Sequence, residues 1–560
     1  MGVVNGWIAS IAGRYFGMGP TTHGQVTETR DVPVRMRDGV DLLTDLYQPR
    51  NASPLPVVLI RTPYGRRAIG GLMERSLSLR GYQVVSQSCR GTFGSGGEFL
   101  PFQSDAEDGV DTLKWIAAQP WYSGYVLMCG LSYPGYAEWA LAADAPEGML
   151  SGLVIQNAAS RVYDVFRPHG TVGLANLLNW VYLQSIRYYL STVSLIYTSL
   201  AHRRRRVAKA SAHLPLTEAD TIATGKPYPF FQQVLQSPHP DDALWQLTDH
   251  SSTVGGVDVP IHLIDGWYDF FLDPQLNDYA SLVRAGKKPY LTIGPWSHGS
   301  TDAIRVGYSE TMRWFKAATT GDWKSLRSKP VRVQLIGTRE WCDFDEWPPL
   351  SQDRHLFLNG AGRLSPSAAT RAGAPTKYRY DPADPTPSVG GALLYDGSGQ
   401  VDNRELERRS DVLTFTTEPL SEPLEVVGVP RVRLFVRTTA RTTDFFVRLC
   451  NVTRRGKSLN ITDGIARFPI CDHEMLDDGT IRIEVDLSAT ACRFETGHRI
   501  RLQVSSGAHP RYARNLGVEN PAAELTDSQV ASQEIFHDPD HPSEVVVPVL
   551  TGHLTKSLKA

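Results

Sequence analysis

The sequence predicts an α/β protein in three parts: a doubly wound parallel sheet, a helical insertion within it, and a C-terminal β-sandwich. Three patterns predict this. Continuous apolar runs alternate with helical stretches up to residue 156, and again from 259 to 330. The block between them is helical, aromatic and turn-rich. After about 330 helical patterns almost disappear, and short alternating runs separated by Gly, Pro and Asp take over. The expected division is a core at 1–156 and 259–330, a cap at 157–258 and a sandwich at 331–560. At 560 residues the chain exceeds what one hydrophobic core usually organises.

The elements follow in order. "VPVRMRDGVDLLTDLYQP" reads as two period-2 strands around an Asp38-Gly39 turn. "LPVVLIRTPYG" is a continuous apolar run of the kind buried on both faces of a parallel sheet. A helix ending near Gly81 and the strand "YQVVSQS" come next. Ser104 and Glu107 are spaced as a capping box opening the helix "DAEDGVDTLKWIAAQ", which stops before Pro120. Then come the strand "GYVLMCG", a serine turn, the helix "YAEWALAADA" and the strand "LSGLVIQN". Beyond the insertion, alternation resumes with "VPIHLIDGWYD", a helix from Pro274 to Arg284, and "KPYLTIGPWSHG". Eight short strands, from "VRVQLIG" to "EVVVPVL", make up the sandwich.

Composition excludes several classes. Lys and Arg total 57 against 59 Asp and Glu, so no global field favours nucleic acid or an anionic membrane. Six scattered cysteines form no C-x-x-C pair and have no zinc-ligand spacing with histidine. No metal or cofactor is expected, and the free thiols favour a reducing, cytoplasmic compartment. The apolar stretch 171–206 is interrupted by Asn176, Asn179, Gln184, Ser185 and Arg187, which suits a helical pair better than a membrane span. The run Arg203 to Arg206 reads as a solvated helix end. Self-association into a homo-oligomer is left open.

The chemistry centres on "MCGLSYPGYAEWA". A nucleophile elbow lifts a serine out of the sheet on a strained strand-to-helix turn and needs small flanking residues. Gly130, two residues before Ser132, supplies one of these. The second glycine, Gly135, comes one residue later than in G-x-S-x-G. Pro134 falls in the first helical turn, where its missing N–H breaks no bond. Serine needs a base, and the base needs an orienting carboxylate, in the chain order Ser, acid, His. His298, after "PYLTIG", occupies the base's position at the end of a late strand. The acid is ambiguous: Asp265, Asp269 and Asp273 share one loop. Asp273 has a structural explanation as N-cap before Pro274, and Asp269, deeper in the loop, is slightly favoured. Oxyanion donors would be the Tyr133 backbone N–H and a group after the "VVLIR" strand. Tyr64 sits there, although on the sequence alone an aromatic packing role is its default reading. The glycine-rich "RGTFGSGGEF" lacks the spacing of a phosphate-binding or dinucleotide loop.

Taken together, "RTPYGRR", "CRGTFGSGGEF", "DAEDGVDTLKWIAAQPW", "GLSYPG", "GWYD", "GPWSHG", "DEWPP", "RSDVLTFTTEPL" and "RLQVSSGAHPRYARN" carry a resemblance over about 28–550. The chain resembles the cocaine esterase / X-Pro dipeptidyl-peptidase-like (S15-type) family of α/β-hydrolases, which includes the α-amino acid ester hydrolases. That family's elbow reads G-x-S-Y-x-G, so the late glycine is its ordinary form. The resemblance implies a triad of Ser132, Asp269 and His298, with oxyanion donors from the Tyr64 hydroxyl and the Tyr133 N–H. It also implies an α/β-hydrolase core, an inserted helical cap and a C-terminal jelly roll. The expected function is a serine hydrolase cleaving a small-molecule ester, or an amide or short peptide, through an acyl-enzyme. The alternatives are X-Pro dipeptidyl peptidase or α-amino acid ester hydrolase activity, and a non-catalytic protein whose sandwich binds carbohydrate.

Overall fold

A computed structural model describes residues 2–5, 7–50, 52, 54–67, 71–187, 193–518, 524–551 and 556–557. Seven strands run parallel, in the spatial order Gln83–Ser88, Val57–Thr62, Val126–Leu131, Leu150–Gln156, Ile261–Tyr268, Tyr290–Ser297 and Val331–Gln334. The antiparallel pair Gln25–Arg35 and Asp41–Pro49 extends one edge, joined through a turn in which Gly39 adopts φ 84°. Alternate residues feed opposite faces. Val57, Leu59, Met128, Leu153, Ile155 and Leu263 pack with the helices Asp105–Ala117, Tyr133–Ala142 and Leu272–Arg284. Val58, Leu127, Val154 and Ile264 pack with Leu72–Ser78 and Thr301–Thr320. Helices thus cover both faces, which is why these strands read as unbroken apolar runs. This strand order and layering are those of an α/β-hydrolase core.

The helical segment lies between Leu150–Gln156 and Ile261–Tyr268 and includes the helices Leu174–Ile186, Val193–Ala212 and Pro229–Gln236. Residues 188–192, inside the stretch tested for a membrane span, lie outside the described residues. Among the described residues no helix is long and apolar enough to cross a membrane. The arginine run is solvated at Arg204, Arg205 and Arg206 but not at Arg203, and it is not at a helix end. It lies inside Val193–Ala212, and Arg203 is buried: its Nη1 donates to Asn179 Oδ1 (3.0 Å) and its Nη2 to Asp396 Oδ2 (2.9 Å).

The C-terminal part is an antiparallel sandwich beginning at Ser351–Asn359. The expected boundary at 331 is corrected. Val331–Gln334 pairs in parallel with Tyr290–Ser297, and Trp341–Phe344 adds beside it, so both belong to the α/β sheet. Four-residue alternating strands look the same in either sheet, and only pairing separates them. The Ser104–Glu107 capping box is also corrected. Ser104 is the N-cap but makes no side-chain capping bond, and Glu107 instead meets Arg37 (3.4 Å).

The helix Asp105–Ala117 is held from below by Arg61, which is fully buried. Arg61 Nη1 donates to the Asp105 carbonyl oxygen (2.6 Å) and to Asp105 Oδ1 (3.2 Å), and Nε donates to Gln87 Oε1 (3.0 Å). Removing one partner of a buried pair leaves the other charge without compensation, at a cost of about 3–5 kcal/mol. Arg61→Ala is therefore expected to lower unfolding stability by about that amount in chemical denaturation. A loss below about 1 kcal/mol would mean that Asp105 is held by other groups.

Candidate active site

Ser132 ends the strand Val126–Leu131 and caps the helix Tyr133–Ala142, with φ 68° and ψ −128°. Few non-glycine residues adopt this conformation unless their surroundings impose it. Here close packing does so. A Cβ at Gly130 would overlap the carbonyl carbon of Pro134 and lie 2.6 Å from the Gly135 nitrogen. A Cβ at Gly135 would lie 2.7 Å from Ala158 Cβ and 2.8 Å from the Gly130 carbonyl oxygen. The late glycine is therefore the one that lets the helix meet the neighbouring strand end. Pro134 occupies the first turn, as its chemistry allows.

The elbow is tied down by its own tyrosine. Tyr133 Oη donates to Asp105 Oδ2 (2.7 Å) and accepts from the Phe102 N–H (2.8 Å). The Phe102 ring stacks on Tyr133 with centroids 4.5 Å apart. Burial, with the Asp105 carboxylate nearby, pushes the Tyr133 phenol well above its ordinary range, so it stays neutral. The Tyr133 backbone N–H lies in the first helical turn, where no intrahelical acceptor exists.

His298 Nδ1 lies 2.9 Å from Asp269 Oδ2, and both side chains are buried. Asp269 Oδ1 accepts from the Phe271 N–H (2.9 Å), and Oδ2 also accepts from Asn157 Nδ2 (2.7 Å). The rings of Phe270 and Phe271 flank the imidazole at 4.7 and 5.7 Å. Of the three candidate acids, Asp269 alone bonds His298. Asp265 is fully buried and bonds Asn157 Nδ2 (2.9 Å) and the Gly266 N–H (2.7 Å). Asp273 is not an N-cap. It lies inside the helix Leu272–Arg284, and its carboxylate accepts from Ser488 Oγ (2.6 Å) and the Ala489 N–H (3.1 Å) of the sandwich.

Ser132, Tyr64, Tyr133 and His298 line one cavity of about 360 Å³. Tyr64 Oη accepts a hydrogen bond from Trp180 Nε1 (3.1 Å). Burial raises the Tyr64 phenol far above its usual range, against smaller opposing effects of hydrogen bonds from Trp180 and Ser132, so it too stays neutral. The remaining wall comes from parts that sequence reasoning did not single out. The cap supplies Phe166, Trp180 and Leu183, and a sandwich loop supplies Leu394 and Tyr395. Asn176 fastens that loop to the cap, accepting from the Leu394 N–H (2.9 Å) and donating to the Ala392 carbonyl (3.4 Å). Arg203 adds a second fastening through Asp396 and stacks on the Tyr395 ring at 3.8 Å. No local pattern pairs residues 218 positions apart. Among the described residues, no cluster of His, Cys, Asp or Glu could hold a metal ion.

A strained serine at a strand-to-helix turn, sharing a cavity with a carboxylate-bonded histidine on an α/β-hydrolase sheet, marks the serine-hydrolase class. Comparison with known proteins agrees. Residues 38–300 match the X-Pro dipeptidyl-peptidase (S15 family) model, and 324–546 match the X-Pro dipeptidyl-peptidase C-terminal non-catalytic domain. Cocaine esterase from Rhodococcus sp. (strain MB1 Bresler) is 33% identical over 94% of this chain and 99% of its own length. Among solved structures, an α-amino acid ester hydrolase superposes with a TM-score of 0.78 at 21% identity, over 94% of this chain and 97% of that one. An aminopeptidase from the marine sediment archaeon Thaumarchaeota archaeon gives 0.77 at 22% identity, over 94% and 96%. The chain belongs to the S15 family of X-Pro dipeptidyl peptidases and cocaine esterase, and it is a serine hydrolase. This sets aside the reading as a non-catalytic carbohydrate-binding protein.

Because the atoms crowding Gly135 are backbone and a short side chain, they cannot swing away. Gly135→Ala is expected to displace Ser132 and lower kcat on the order of 10²-fold, with the far-UV spectrum unchanged. Full activity in that variant would show that this crowding does not set the serine's position.

Proposed function

We propose that Ser132, His298 and Asp269 form a catalytic triad that cleaves carboxylic esters of neutral, apolar acyl groups through an acyl-enzyme. The reading is carried by one observation: a histidine bonded to a buried carboxylate shares a cavity with Ser132, and no described lining residue is Asp, Glu, Lys or Arg. With Asp269 accepting from Nδ1–H, His298 Nε2 is left as the base. It takes the Ser132 hydroxyl proton as Oγ bonds the substrate carbonyl carbon. On collapse of the tetrahedral intermediate the C–O bond to the alcohol breaks, and His298 returns that proton to the departing alkoxide. Water then repeats the sequence on the acyl-enzyme: it gives a proton to His298, releases the acid and restores Ser132.

The oxyanion is held by the Tyr133 N–H and the Tyr64 hydroxyl. The Trp180 indole already donates to Tyr64 Oη, so the phenol's own proton is free to donate to the oxyanion. A substrate with a free α-ammonium group would need a carboxylate or several acceptors to replace its water, and no described residue of the apolar lining offers a carboxylate. This favours simple esters over α-amino acyl esters and X-Pro peptides.

An active-site phosphonate should label the protein at Ser132, and Ser132→Ala should abolish labelling and turnover; labelling that persists in the alanine variant would sink the assignment. Tyr64→Phe should lower kcat on the order of 10²–10³-fold, the usual effect of losing one oxyanion donor. For specificity, short and aromatic neutral esters are offered beside α-amino acyl esters and X-Pro anilides. Faster turnover of either amino substrate would reverse the proposed preference.

A further inference from the structure

Asn157 follows the strand Leu150–Gln156 and meets the acid loop from the neighbouring strand. Its backbone is left-handed, with φ 46°, a conformation that asparagine tolerates better than most side chains. Several bonds fix this segment. The Asn157 N–H donates to the Ile264 carbonyl (2.8 Å), and Gln275 Nε2 donates to the Ala158 carbonyl (2.8 Å). Ser160 donates to Asp278 through both its N–H (2.9 Å) and its hydroxyl (2.5 Å). The side-chain amide is therefore presented from a rigid backbone.

That amide has two hydrogens, and two carboxylates receive them: Asp269 Oδ2 at 2.7 Å and Asp265 Oδ1 at 2.9 Å. We propose that Asn157 is a positioning residue for the proposed triad, fixing Asp269 against His298 by sharing its two N–H donors between Asp269 and Asp265. This rests on the triad reading above.

The two acids differ in their surroundings. Asp269 has three hydrogen-bond partners, His298, Asn157 and the Phe271 N–H. Asp265 has two donors on Oδ1 and none on Oδ2, and it is completely buried. Burial, with Asp269 and Asp273 as the charges facing it, raises Asp265 above its ordinary carboxylate range. Asn157 is thus suited on three counts: backbone conformation, donor number and reach.

The test compares wild type with Asn157→Asp, which keeps the shape and loses both N–H donors, and with Asn157→Ala. Losing a hydrogen bond to an ionised group predicts a kcat lower on the order of 10- to 100-fold, with KM within about threefold. Removing a donor makes Asp269 more basic and strengthens its hold on the His298 proton. The acidic limb of the kcat/KM profile should therefore move to higher pH. In wild type the two Asn157 side-chain amide protons should exchange slowly with water, a measurement that needs no variant. Normal kcat in both variants, a loss of kcat with an unmoved pH profile, or fast amide exchange would each overturn the proposal. If Ser132→Ala keeps its activity, the triad reading itself has failed. If Ser132→Ala is inactive while the Asn157 variants are normal, only the positioning role has.

Discussion

Ser132 occupies a backbone conformation that costs of order 1–3 kcal/mol and persists only where its surroundings over-determine it. Much of the structure's interior can be read as that over-determination. Gly130 and Gly135 let strand, turn and helix close to distances that no Cβ would allow. The Tyr133 hydroxyl is bonded to Asp105, and Asp105 is held by the buried Arg61, so the first residue of the elbow helix is anchored to two neighbouring elements. The Phe102 N–H completes the Tyr133 hydroxyl, and its ring packs on the phenol face. A polar network of this kind is rigid because each member satisfies the next, and leaving one unpaired in so dry a setting would be costly.

The sandwich takes part in the same geometry. Asp269 lies between two ties to it: the Tyr268 hydroxyl donates to the Asn460 carbonyl (3.1 Å), and Asp273 accepts from Ser488 and Ala489. One residue before Tyr268, Trp267 Nε1 donates to the Gln334 carbonyl (2.8 Å) within its own sheet. The loop carrying the proposed acid is thus braced from outside its own sheet. The apolar core is continuous across the junction, with Leu335, Ile336 and Cys342 packing in the same cluster as Val426 and Ala491. Separating the two parts would expose that core and free the acid loop together.

The parallel sheet was legible because buried strands read as unbroken apolar runs, and Ser132 and His298 because both sit where such runs end. The acid was less so. Asp265, Asp269 and Asp273 occupy one local context, and only the directions of their side chains distinguish an acid buried against Asn157, a histidine partner and a tie to the sandwich. The boundary at 331 failed for a related reason, since pairing rather than period decides which sheet a short strand joins. Arg203 failed because a charge run was read by composition, whereas one helical face of that run turns inward onto Asn179, Asp396 and Tyr395.

These differences follow a physical division within the protein. The proposed chemistry stands on strand ends, where backbone geometry is set by the sheet and a few residue types are admissible at each position. The cavity wall is assembled from cap helices and the loop around 394, held together by Asn176 and Arg203 across long sequence separations. Phe166 and Trp180 both pack on Phe102 and line the cavity, so one hydrophobic pattern serves core and pocket alike. A sequence therefore announces the reaction far more clearly than the substrate. The cap also reaches the proposed oxyanion hole directly, since Trp180 donates a hydrogen bond to Tyr64. Trp180 thus couples the shape of the acyl pocket to the proposed stabilisation of the transition state.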